Sequence, residues 1–74
     1  MKIEVHCFAT LKKYTPNSGI LEIPEGTKVC EVLEKLGIDK KEVKVIFING
    51  KHAKLDSELK NQDRLGLFPS VGGG

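Results

Sequence analysis

Few side chains in this 74-residue sequence are equipped for chemistry, and their spacing joins almost none of them. Cys7 and Cys30 are the thiols, and His6 and His52 the imidazoles. A Cys2His2 zinc site needs closely spaced ligand pairs, which these residues do not form. An all-cysteine iron–sulfur site needs more cysteines than the two present. No Ser/His/Asp arrangement can be assembled. Gly72-Gly73-Gly74 is not a phosphate loop, since it lacks the strand–loop–helix context and the lysine. What stands out is the final segment itself, Pro69-Ser70-Val71-Gly72-Gly73-Gly74. Three successive glycines at a chosen position arise roughly once in 3,000 sequences at background composition. Glycine loses the most entropy on ordering, so residues 70–74 are expected to form a mobile arm.

The other candidates have simpler readings. Cys7 falls on the inward side of a strand and is expected in the core, as free cysteines usually are. Cys30 flanks an apolar helix stripe in the first turn; a helix dipole there can lower a thiol pKa, but the position is that of a core edge. His6 and His52 are expected outward, as plain surface. Phe68 differs from these. Leu65 and Leu67 point inward, which turns Phe68 outward at the root of the arm. There it can anchor in a partner's pocket, with Ile46 and Ile48 as companions on the same outer face.

The elements that must position these groups follow from pattern. Ile3, Val5 and Cys7 alternate with Lys2, Glu4 and His6, which predicts a half-buried strand over residues 2–8. Ala9 to Tyr14 is expected as a wide loop, and Thr15-Pro16-Asn17-Ser18-Gly19 as a turn. Ile20 to Ile23 forms a second strand, antiparallel to the first, stopped by Pro24. Val29, Val32, Leu33 and Leu36 make one apolar helical stripe. Thr27 is the expected N-cap, Glu31 and Lys35 an i, i+4 pair, and Gly37 the left-handed terminator. Asp39 to Glu42 is at most one helical turn. Val43 to Ile48 is a strand apolar on both faces, and Asn49-Gly50 turns it back through Lys51-His52-Ala53. Leu55 to Leu59 is a tight turn that Asp56 can cap. Arg64 to Phe68 is the last strand, ended by Pro69. The order β-β-α-β-β-β leaves one helix to cover one face of one sheet, and the other face to solvent or a partner.

Size and composition bound the function. A chain this short holds one domain with a small core, and a deep cofactor pocket would consume most of it. The residues are 39% hydrophobic and 30% charged, the balance of a folded domain. A net charge of +2, with basic residues bunched only at Lys12-Lys13 and Lys40-Lys41-Lys44, does not suit nucleic acid. No stretch approaches the roughly 20 apolar residues of a membrane span. Met1-Lys2 leads straight into an alternating run and not into a signal sequence. The expectation is a cytoplasmic protein with reduced thiols, monomeric when free.

Several segments together carry a resemblance: Phe8-Ala9-Thr10-Leu11, Pro24-Glu25-Gly26-Thr27, Ile48-Asn49-Gly50-Lys51 and, above all, Leu67-Phe68-Pro69-Ser70-Val71-Gly72-Gly73-Gly74. They resemble the ubiquitin-like sulfur carriers of the MoaD/ThiS family, along the whole chain. The resemblance implies an α+β fold of the β-grasp type: a mixed sheet of four to five strands with one main helix on one face. The domain would span residues 1–69 and the reactive tail residues 70–74. It further implies that an E1-like enzyme uses ATP to adenylate the Gly74 carboxylate. A sulfur donor then displaces AMP to leave a thiocarboxylate, and a second enzyme, such as a molybdopterin synthase large subunit, takes the sulfur. Gly74 and Gly73 would be the reacting end. Phe68, Pro69, Val71, Gly72, Ile46, Ile48 and His52 would be the partner-binding residues. The chain would be a cosubstrate and not an enzyme, with no metal and no stably bound cofactor, ATP being the partner's. Gly72 stands where relatives often have Ala or Thr, and Ser70 where many have a second proline, both of which loosen the arm. His52 replaces an apolar residue of the partner-facing surface. A thiamine-type or tRNA-type carrier, a ubiquitin-like modifier joined through Gly74 to lysines, and a β-grasp binding module with an idle tail all share these features.

Overall fold

The computed structural model describes residues 1–70. Five strands and one helix carry the fold: β1 (Lys2–Cys7), β2 (Ile20–Glu22), α1 (Val29–Leu36), β3 (Val43–Ile48), β4 (Lys51–His52) and β5 (Arg64–Pro69). They form one sheet in the order β2-β1-β5-β3-β4. β1 and β5 run parallel at its centre, and the other pairs are antiparallel. This is the mixed β-grasp sheet that the sequence implied.

Alternation fixes which face is buried. Ile3, Val5 and Cys7 of β1 and Leu65 and Leu67 of β5 all point to α1. Val29, Val32 and Leu33 of the helix meet them there, each at most 1% exposed. Leu11, Ile23, Ile38 and Leu59 close the edges of this core. Leu36, last in the stripe, is partly buried.

The helix ends as expected and begins differently. Gly37 adopts φ 78°, the left-handed terminator that residues with a Cβ adopt at a cost. At the start, Lys28 and not Thr27 is the N-cap. Thr27 Oγ1 donates instead to the Pro24 carbonyl at 2.7 Å. The first helical N–H groups find partners far along the chain: Val29 N–H donates to Ser57 O at 3.0 Å and Cys30 N–H to Leu55 O at 2.8 Å. Glu31 folds back to accept the Lys28 N–H at 2.9 Å, so its carboxylate serves the helix start and not a pair with Lys35. Tertiary carbonyls thus do the work of a side-chain cap. The loop that supplies them is closed by Ser57, whose Oγ accepts the Lys54 N–H at 3.0 Å, and not by Asp56.

Residues Ala9–Tyr14 form a 3-10 helix where a wide loop was expected, because Leu11 is drawn fully into the core. Lys40–Glu42 make the single turn foreseen, with Asp39 accepting the Lys41 N–H at 2.9 Å. Asn49 and Gly50 turn the β3–β4 hairpin with φ of 53° and 81°, the paired positive angles of a type I′ turn. Asn49 also locks the hairpin to β5. Its Oδ1 accepts the Arg64 N–H at 2.9 Å, and its Nδ2 donates to Asp63 Oδ1 at 2.8 Å. No helix among the described residues is long and apolar enough to cross a membrane.

Candidate functional site

The sheet face opposite α1 is where the sequence left apolar surface without a core to enter. Parallel pairing of β1 with β5 sets Cys7 opposite Leu67, and the next residues, Phe8 and Phe68, emerge side by side on that face. Their rings stack at 4.3 Å between centroids with an interplanar angle of 3°. Phe47 of β3 meets Phe68 edge-on at 5.6 Å and 82°. His52, opposite Phe47 on β4, tilts against it at 4.6 Å. Stacked and edge-on pairs of this kind add about 0.5–1.5 kcal/mol each beyond the area that they cover. The rings are therefore preorganised, although Phe8 is still 40% exposed.

Phe68 and His52 thus lie on the outer face, as expected. Ile46 and Ile48 do not. Ile46 pairs with Leu67 and Ile48 with Leu65, so both share the inward side of the sheet. Ile46 is 7% exposed and belongs to the core, and Ile48 packs against it. The outer positions of β3 are Val45 and Phe47, which line the groove with Phe68. The sequence reading missed Phe47 and passed over Phe8 as a contact residue. The signal for Phe8 was present, because it continues the outward series Glu4, His6. For Phe47 there was none, because a strand apolar on both faces has no visible phase.

The arm leaves from this patch. Pro69 pairs with Val43, and the Ser70 N–H donates to Glu42 O at 3.0 Å, which extends the sheet bonding one residue past the strand. Lys44 and Ala9 flank Pro69 at the edge of the aromatic groove. Val71, Gly72, Gly73 and Gly74, the expected reactive and contacting residues, lie outside the described residues, as does the expectation that they are mobile.

The groove's other end is polar. Glu4 lies between two basic partners, with its Oε1 3.2 Å from His6 Nε2 and 3.8 Å from Arg64 Nε. Cys7 is buried on the opposite side of the sheet, which separates it from His6 and both from any shared metal. Burial pushes the Cys7 thiol above its ordinary pKa of 9.0, and a hydrogen bond with Thr15 offsets part of this. The thiol is therefore protonated at neutral pH and a poor nucleophile. The unfolded thiol ionises near its ordinary value while the buried one resists, so this group weakens the fold only as pH rises past about 9. Native protein treated with iodoacetamide at pH 8 should leave Cys7 unmodified until denaturant is added, as peptide mass mapping would read. Rapid native labelling of Cys7 would contradict the buried assignment.

The geometry, an aromatic patch at the root of a glycine-ended arm, coincides with a family match. The model of the ThiS family matches residues 5–74, nearly the whole chain and the arm with it. The chain belongs to the ThiS family. Solved structures agree on the β-grasp fold of this ThiS-family protein. A structure described as "putative molybdopterin converting factor, subunit 1" from Pyrococcus furiosus is 30% identical over 96% of this chain and 99% of its own, with a TM-score of 0.73. SAMP1 from Haloferax volcanii covers 100% of both chains at 22% identity and a TM-score of 0.72, a likeness of fold. A complex of subunits 1 and 2 of the molybdopterin-converting factor from Helicobacter pylori contains a chain 27% identical over 100% of both, with a TM-score of 0.59. Among curated proteins, none matches the sequence significantly.

Proposed function

We propose that this ThiS-family protein is a sulfur carrier whose Gly74 carboxylate is the reacting group. The observation that carries the reading is the reach of the family match, which runs through Gly72-Gly73-Gly74 to residue 74. An E1-like enzyme would join the carboxylate to the α-phosphate of ATP, releasing pyrophosphate and leaving an acyl-adenylate. A sulfur donor would then attack the carbonyl carbon and expel AMP, leaving a thiocarboxylate. The activating groups belong to the partner, so the chain is a cosubstrate and not a catalyst. Molybdopterin synthesis is the favoured destination, with a synthase large subunit as the acceptor, because one similar structure is described as a "putative molybdopterin converting factor, subunit 1" and another is a complex of subunits 1 and 2 of a molybdopterin-converting factor.

The outer face supports this role. A carrier handed between enzymes needs a docking surface beside its reactive end, and Phe8, Phe47 and Phe68 provide one. Preordered rings are typical interface anchors, since they bury large area at small entropic cost. Phe68→Ala should weaken binding to the adenylating enzyme by about 1–3 kcal/mol. Ile46→Ala should lower the Tm and leave that binding unchanged, because that residue faces the core. Calorimetry on both variants checks the assignment of faces, and the reverse pattern would refute it.

The adenylation step has its own test. With the E1-like enzyme present, the chain should promote exchange of pyrophosphate into ATP, and a variant without Gly74 should not. Exchange that ignores Gly74 would overturn the proposal. A Gly-Gly remnant on the lysines of other proteins would select the modifier reading.

A further inference from the structure

The outer face holds a depression as well as a patch. Gly66 forms its floor in the middle of β5, between His6 of β1 and Phe47 of β3. A Cβ placed on Gly66 would sit 3.8 Å from Phe8 Cε2, Phe47 Cβ and Phe68 Cε1. That is ordinary van der Waals contact, so alanine would fit. The backbone is not in the left-handed region either, unlike that of Gly19, Gly26, Gly37 and Gly50. Neither of the usual structural reasons for glycine applies, and glycine within a strand weakens it. What the missing side chain creates is an open slot walled by three aromatic rings.

Cations flank the aromatic patch on two sides. Arg64 stands at one end, and its Nε is 3.8 Å from Glu4, too far for a hydrogen bond. The Arg64 side chain is 66% exposed, so its fork of donors can receive another carboxylate. Lys44 lies beyond the Phe8 and Phe68 rings, beside Pro69. Glu4 is the single carboxylate among the described residues lining the groove.

We infer that Gly66 is the specificity-determining residue of the docking face: its slot receives one apolar side chain of a protein partner, in a segment whose flanking carboxylates meet Arg64 and Lys44. The inference rests on the outer face being the carrier's docking surface. The ring walls supply buried apolar area, and the two cations set the orientation of the segment. A second copy of this chain would bring two cations of its own and one carboxylate, so it lacks the acidic flanks that the slot selects.

Random dodecapeptides displayed on phage and selected on the immobilised full-length chain test this. The expected enrichment is an apolar residue flanked by Asp or Glu. The synthetic consensus peptide should bind Gly66→Val at least about tenfold more weakly than the native chain. Arg64→Gln should lose about three- to tenfold, and high salt should erase that difference. Thermal melts of each variant separate a lost slot from a lost fold. If valine lowers the Tm appreciably, Gly66→Ala, which fits the space, should still lose about threefold. No enrichment, basic flanks, or equal binding by the native chain and a folded Gly66 variant would overturn the inference. None of these readings involves Gly74, so their failure leaves the adenylation proposal standing. Loss of pyrophosphate exchange with intact peptide selectivity would sink that proposal alone.

Discussion

A chain lacking Gly73 and Gly74 should yield no thiocarboxylate and melt at the same temperature as the full-length protein. The two halves of this expectation have separate physical grounds. Among the described residues the core runs from Ile3 to Leu67, and the Ser70 N–H still bonds to the sheet through Glu42 O. Gly73 and Gly74 carry no side chain to contribute to that core. On the proposed mechanism the terminal carboxylate, by contrast, must reach the ATP α-phosphate within an enzyme's channel while the patch around Phe68 is docked. Removing two residues shortens the reach by about 7 Å, several times the tolerance of a bond-forming step. Adding one residue after Gly74 should be equally damaging, since the carboxylate would overshoot. A shortened chain that still gained sulfur would show that the reacting group is elsewhere.

The second large effect concerns stability. Leu33→Ala should cost about 2–4 kcal/mol, because Leu33 lies in the middle of the α1 stripe and is 1% exposed. The helix faces Val5, Leu65 and Leu67, and so the cavity would open at the centre of a small core. A domain of this size holds only about 3–5 kcal/mol of net stability, so the variant should be close to its unfolding midpoint at room temperature. Chemical denaturation of both proteins measures the difference. A change below about half a kcal/mol would mean that another face of α1 is buried, contrary to the packing described.

Local signals in the sequence were enough for most of the fold. The alternation of Ile3, Val5 and Cys7, the helical stripe ending at Gly37, and the Asn49-Gly50 pair each specify their own element within a few residues. The helix cap and the 3-10 helix that differed both depend on distant partners. Lys28 serves as N-cap because Leu55 and Ser57, some 25 residues on, supply carbonyls to the helix start. Ala9–Tyr14 coils because Leu11 enters a core assembled from other elements.

The candidate site was half legible for a similar reason. Phe68 could be turned outward from Leu65 and Leu67 alone. Phe8 became its stacking partner only through the parallel pairing of β1 and β5, which joins the two ends of the chain. On β3, Val45-Ile46-Phe47-Ile48 is apolar throughout, so hydrophobicity sets no phase. The register against β5, with an irregularity between Val43 and Val45, decides that Ile46 enters the core and Phe47 faces outward. The glycine arm is the opposite case. Composition and position made it conspicuous, and the family resemblance supplied its expected chemistry.

The central claim, that Gly74 carries the sulfur, is tested most directly by intact mass. The full-length chain is incubated with the cognate E1-like enzyme, ATP and a sulfur donor, and then weighed and fragmented. The account predicts the mass gain of one oxygen exchanged for sulfur, located on Gly74. An unchanged mass with an active enzyme, or sulfur found on Cys7 or Cys30, would contradict it.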